Sequence, residues 1–167
     1  MARITIATDV LRQLPRTEQM TVGADHIDIM GHMNTMYYWE LFSKASRNMT
    51  SLTGVTAAYV EEHKRGAFML RNFTQFVSEA HLGDDLTVYT RLVARGSKRY
   101  QAMHFMVNET TDRLAATMEI LSTHANLTER RSAMFPPHIA HKMDHIIAAH
   151  NEIDWTDAPL SGVLSPE

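Results

Sequence analysis

Asp25-His26-Ile27-Asp28-Ile29-Met30-Gly31-His32-Met33-Asn34-Thr35-Met36-Tyr37-Tyr38-Trp39-Glu40-Leu41-Phe42-Ser43-Lys44-Ala45-Ser46-Arg47-Asn48-Met49 is the stretch that decides the fold. Its first part is a polar loop hinged at Gly31. Its second part carries Tyr38, Leu41, Phe42, Ala45, Met49 and then Leu52 at helical spacing, which predicts one apolar stripe on one long helix. Asn34 or Thr35 can cap that helix through its side-chain oxygen. Glu40 and Lys44 pair at i,i+4 away from the stripe, and Gly54 ends the helix. A helix N-terminus presents free backbone N–H groups and the positive end of a dipole. A polar loop running into it is where chemistry is expected.

Downstream the period shortens. A second, shorter helix is expected over Thr56–Lys64, stopped at Gly66. Ala67–Glu79 then reads as a strand rich in Phe, Met and Val. Leu82-Gly83-Asp84-Asp85 reads as a turn, and Leu86–Arg95 alternates apolar and polar. Gly96-Ser97-Lys98 turns the chain into Arg99–Asn108, the partner strand of a hairpin. Residues 109–113 turn again, Leu114–Leu127 is a last long strand, and Pro136-Pro137 breaks the chain before a helix over His138–His150. Upstream, Asp9 can cap a short helix that Pro15 stops, and a strand is expected over Glu18–Gly23. The tail from Asn151 is expected to be loosely ordered. Strands joined by tight turns form an antiparallel sheet, and the helix stripe must be covered by it. The expected class is α+β: a curved antiparallel sheet of about five strands wrapped around one long central helix.

Composition agrees with one soluble domain. The chain has 167 residues, 44% hydrophobic and 21% charged, enough for a real core. A net charge of −3 gives no basic face for nucleic acid. The cysteine count of 0 removes disulfides, thiolate metal sites and thiol catalysis. No apolar run approaches the ~20 residues that span a bilayer. The first residues lack the apolar core of a signal peptide, so a cytoplasmic location is expected, and the four Asn-x-Thr sequons are read as chance. His138, His141 and His145 share a helical face, but no third ligand stands at diagnostic spacing. No metal and no cofactor are expected.

Three stretches resemble the hotdog-fold acyl-CoA thioesterases of the 4-hydroxybenzoyl-CoA thioesterase type. The first is Asp28-Ile29-Met30-Gly31-His32-Met33-Asn34 followed by Tyr38. The second is Leu82-Gly83-Asp84-Asp85-Leu86. The third is Asn126-Leu127-Thr128-Glu129-Arg130-Arg131 followed by Pro136. The resemblance covers roughly residues 18–137, read as the thioesterase domain, with residues 1–17 an N-terminal extension and 138–167 a C-terminal helix and tail. It implies the hotdog fold, and hydrolysis of a small or medium acyl-CoA to the free acid and CoA. Asp28 would be general base or nucleophile, and the backbone N–H of Thr35 the oxyanion donor. Gly31, His32, Asn34 and Tyr38 would contact substrate, and Ser97, Lys98 and Arg99 the CoA phosphates. It also implies a site between subunits of a homodimer or homotetramer. Two departures stand out: many relatives carry a second acid where this chain has His26, and a second asparagine where it has Thr35.

Taken alone, Asp28 also fits a turn or capping acid, and His32 and Asn34 also fit hydrogen bonds that brace the loop. One of Tyr37, Tyr38 and Trp39, if turned to the pocket, could stack on an aromatic acyl group or hold a quaternary ammonium. A non-catalytic acyl-CoA-binding protein is the alternative function. A hotdog dehydratase is less favoured, because its His–acid arrangement is not found.

Overall fold

The computed structural model describes residues 6–155. In chain order the elements are α1 (Thr8–Leu11), β1 (Arg16–Thr21), a 3-10 turn (Ala24–His26), α2 (Thr35–Leu52), α3 (Ala57–His63), β2 (Arg65–Phe76), β3 (Asp85–Arg95), β4 (Arg99–Asn108), β5 (Arg113–Asn126), β6 (Arg131–Ser132) and α4 (Pro137–Asn151). The strands form one antiparallel sheet in the order β1-β3-β4-β5-β2, with the short β6 also on β5. The sheet wraps α2, as the sequence predicts. Among the described residues no helix is long and apolar enough to cross a membrane.

Alternation along β4 shows how the two faces are used. Tyr100, Ala102 and Met106 turn inward to the α2 core, while Met103, Phe105 and Val107 turn outward into a second apolar cluster. The α2 stripe is as expected: Tyr38, Leu41, Phe42, Ala45 and Met49 are buried. Leu52, at the end of the helix, departs from the expected stripe and is 44% exposed. Asn34, not Thr35, is the N-cap, its Oδ1 accepting from the Met36 N–H at 2.9 Å. Gly54 holds φ +101°, and a Cβ there would stand 2.8 Å from the Ile139 side chain, so α4 packs against the end of α2 through this glycine. The α3 helix ends earlier than Gly66: Lys64 takes the left-handed conformation (φ 51°) and β2 begins at once.

The largest difference from expectation lies on the outer face. Leu11 and Leu14 from the N-terminal segment are buried there against Met103, Phe105 and Leu114. Arg12 clasps the segment to the β4–β5 turn, bonding Glu109 and Asp112 at 2.7 Å each. Those carboxylates hold its guanidinium pKa above the ordinary value. From the other terminus, Trp155 stacks on Phe105 and receives the Arg91 guanidinium 4.1 Å from its ring centroid. Its indole N–H donates to the His150 carbonyl at 2.7 Å. The tail is therefore docked through residue 155; the rest of it lies outside the described residues. Leu11→Ala should cost about 2–5 kcal/mol, as much as a core leucine. Urea unfolding measures this, and an unchanged midpoint would mean the segment is not packed in solution.

Candidate active site

The loop between β1 and α2 is built by its own backbone. The Asp28 N–H donates to the His32 carbonyl and the Gly31 N–H to the Asp28 carbonyl, each at 3.0 Å. Gly31 sits at φ +84° with nothing within 4 Å of where a Cβ would be, so the glycine serves the turn and leaves open space beside it. The Asp28 Oδ1 accepts from the Met30 N–H at 2.8 Å. His32 Nδ1 stands 3.8 Å from the same oxygen. The Asp28 side chain is 25% exposed, neither solvated freely nor locked in the core.

A second turn holds this loop against the sheet. Asp84, of the Leu82–Leu86 stretch, is buried; its Oδ2 accepts from the His81 N–H at 2.8 Å and from Asn108 Nδ2 at 2.7 Å. Its carbonyl receives the Val22 N–H, the Val22 carbonyl receives the Gly83 N–H, and the Ala80 carbonyl receives the Met33 N–H, all at 2.8 Å. This second stretch is thus the clamp of the Asp28 loop. Asp84→Ala strands the buried Asn108 amide and a part-buried backbone N–H, and should lower stability by about 2 kcal/mol. A thermal melt reads the loss, and an unchanged Tm would show that these bonds are replaced by water at no cost.

At the helix mouth the first N–H groups have separate fates. The Asn34 N–H goes to the His26 carbonyl, that of Met36 to Asn34 Oδ1, and that of Tyr37 to the Asn34 carbonyl. The Thr35 N–H has no acceptor among the described residues. It is a donor at a positive helix end, which suits a developing oxyanion. Asn34 spends its side-chain oxygen on the cap and keeps only its amide N–H groups for anything else. Tyr38 is 4% exposed, edge-on to Phe76, with its hydroxyl on the Ala80 backbone. Burial pushes its phenol pKa up. It braces the loop from beneath. Tyr37 bonds the Asp25 carbonyl at 2.8 Å and packs on the His26 ring.

Around this mouth lie apolar side chains without cover: Ile29 is 101% exposed, and Met30, Met36, Trp39 and Phe76 are exposed as well. Ser97, Lys98 and Arg99 are not beside it. They occupy the β3–β4 turn, at the opposite end of a ten-residue strand whose Asn108 end meets the Asp84 turn. That separation is about 30 Å. Within one protomer they stand at the far end of the sheet from Asp28.

A cavity of ≈ 590 Å³ opens along the C-terminal half of α2, between α3 and the start of β2. Its polar lining was not legible in the sequence as a site. Ser46 Oγ lies 2.8 Å from His104 Nε2, whose Nδ1 lies 2.7 Å from Thr90 Oγ1, itself 2.7 Å from Thr17 Oγ1. Four elements meet in that chain, so no local spacing could signal it. Burial drives the His104 pKa down to about 3, so the ring is neutral and is not a general base at ordinary pH. On α4, His141 and His145 touch at 3.0 Å. Among the described residues no group of three potential ligands is assembled for a metal.

A curled antiparallel sheet wrapped around one long central helix is the hotdog fold. Within it, the chain belongs to the thioesterase-like superfamily, whose sequence model matches residues 22–143. It is 26% identical over 80% of its length to an L-carnitine dehydrogenase/betainyl-CoA thioesterase of Agrobacterium fabrum, and spans 27% of that protein. It is 22% identical over 86% of its length to a betainyl-CoA thioesterase of Pseudomonas aeruginosa, covering 90% of it. Among solved structures, a Staphylococcus aureus protein in complex with CoA superposes with a TM-score of 0.80 at 24% identity, over 91% of this chain and 94% of that one. A probable thioesterase of Escherichia coli gives 0.66 at 17% identity, over 80% and 99%.

Proposed function

We propose that this chain hydrolyses a small acyl-CoA thioester at a site built by two copies of itself. The observation that carries this is the pairing of Asp28 with the acceptor-free Thr35 N–H at one helix mouth. The thioester carbonyl would direct its oxygen to that N–H. Asp28 would either take a proton from the attacking water or attack the carbonyl itself. In the water route the new C–O bond forms as the C=O pair moves onto oxygen, held by Thr35. That pair returns as the C–S bond breaks. CoA leaves as thiolate and takes a proton, and the acyl group leaves as the carboxylate. His32 would hold the loop, and Gly31 leaves room for the thioester.

The β2 edge supports the second copy. Twelve residues long, it pairs with β5 on one side only and exposes Phe68, Met69, Leu70, Phe73 and Phe76. Such an edge is a template for pairing. An antiparallel pairing about its middle sets the Arg65 end of one β2 beside the Phe76 end of the other. The partner's Ser97, Lys98 and Arg99 then arrive at the end that holds Asp28, and within reach of the phosphates of an extended CoA. The same pairing covers the bare apolar ring around the loop. The relatives named above make an acyl group as small as betainyl the first substrate to try. Thiol release across aliphatic, aromatic and betainyl CoA thioesters tests the activity, and sedimentation tests the dimer. A ligand-induced rise in Tm without thiol release from any member would favour the binding-protein reading instead.

A further inference from the structure

The cavity along α2 is lined by apolar side chains such as Val55, Val60 and Met69, and by several hydroxyl groups whose protons are already committed. Thr50 donates to the Ser46 carbonyl at 2.7 Å. Tyr100, 3.2 Å from Thr50 Oγ1, must therefore donate to it. Ser122 lines the same space. Ser46 has two possible acceptors, the Phe42 carbonyl and His104 Nε2, each at 2.8 Å. Whichever tautomer His104 adopts, the single Ser46 proton points away from the cavity. Ser46, Thr50 and Tyr100 thus line one space with oxygen lone pairs. At the rim, Arg47 and Glu61 carry opposite charges.

We infer that this cavity takes the positively charged nitrogen of a short acyl group. The inference rests on the thioesterase reading and deepens it. Oxygen lone pairs and the Tyr100 ring attract a quaternary ammonium, which needs no hydrogen-bond donor or acceptor of its own. An alkyl group of the same shape gains nothing from them. The cavity does not serve the loop of its own protomer directly. From Thr35 to Ser46 along α2 is about 16 Å, too far for a short acyl chain. Under the antiparallel β2 pairing, α2 of one copy runs against α2 of the other, so the mouth of one helix faces the Ser51 end of its partner, where this cavity opens. Each copy would then supply the carbonyl site for one substrate and the ammonium pocket for the other.

The test compares betainyl-CoA with 3,3-dimethylbutanoyl-CoA, which has a carbon in place of the charged nitrogen and nearly the same volume. The expected result is a preference of more than about tenfold in kcat/KM for the cation. Tyr100→Phe, or Ser122→Ala should the first fail to fold, should bring the ratio towards one. Equal rates for the two thioesters would overturn the pocket and leave the thioesterase standing. Full preference in a folded variant would overturn the assignment to these oxygens. Should neither thioester turn over, the thioesterase reading fails, and calorimetry with free glycine betaine and 3,3-dimethylbutanoate decides the pocket. Binding of betaine alone supports it, and equal or absent binding overturns it.

Discussion

Asp28→Asn should reduce thioester turnover by about 10³-fold or more, with Tm and helix content unchanged. The substitution keeps the side-chain oxygen that accepts the Met30 N–H, so the loop retains its shape. What it removes is the negative charge and the capacity to take a proton or to attack a carbonyl. The side chain is part of no buried ion pair, and its neighbour His32 is 3.8 Å away. A large stability loss is therefore not expected. Retention of turnover within tenfold would return Asp28 to the status of a turn acid. In that event the catalytic group lies elsewhere around the mouth.

The second large effect is acid sensitivity. His104 is fully buried among Ser46, Thr90 and Phe42, and burial holds its pKa at about 3 in the folded chain. In the unfolded chain a histidine titrates near 6.5. Below that pH the unfolded state binds a proton that the folded state refuses. Stability is thus complete above about 6.5 and drains away as the pH falls towards 3. At pH 5 this one residue should cost about 2 kcal/mol. His124 and His150 are shifted in the same direction by burial and act in the same sense. The urea midpoint measured at pH 7 and pH 5 reads the loss, and His104→Phe should shrink it. A midpoint independent of pH in that window would show that the ring is protonated in the folded protein.

Local signals carried most of the fold. The stripe Tyr38, Leu41, Phe42, Ala45 and Met49 has a period that only a helix satisfies, and the turns at 82–85 and 96–98 fixed the strands between them. The loop from Asp28 to Asn34 was legible as a site because an acid, a glycine and a cap stand in one short stretch. Three features were hidden for a common reason: they are made by contacts between distant segments. Leu11 and Trp155 meet on the outer face of β4 through residues separated by most of the chain. Lys64 ends α3 in a left-handed conformation that glycine would ordinarily signal. The hydroxyl-lined cavity needs Ser46, Tyr100 and Ser122 from three elements. Ser97, Lys98 and Arg99 teach the converse. Their type suited a phosphate, but only the sheet register shows that they stand far from Asp28 in one protomer.

The most direct test is hydrolysis of betainyl-CoA, and of simple short-chain acyl-CoAs, in water enriched in ¹⁸O. The expected result is CoA thiol and free acid in equal amounts, with label in the acid and the rate reduced about 10³-fold or more in Asp28→Asn. Thiol release no faster than without protein, or unlabelled acid over many turnovers, would contradict it.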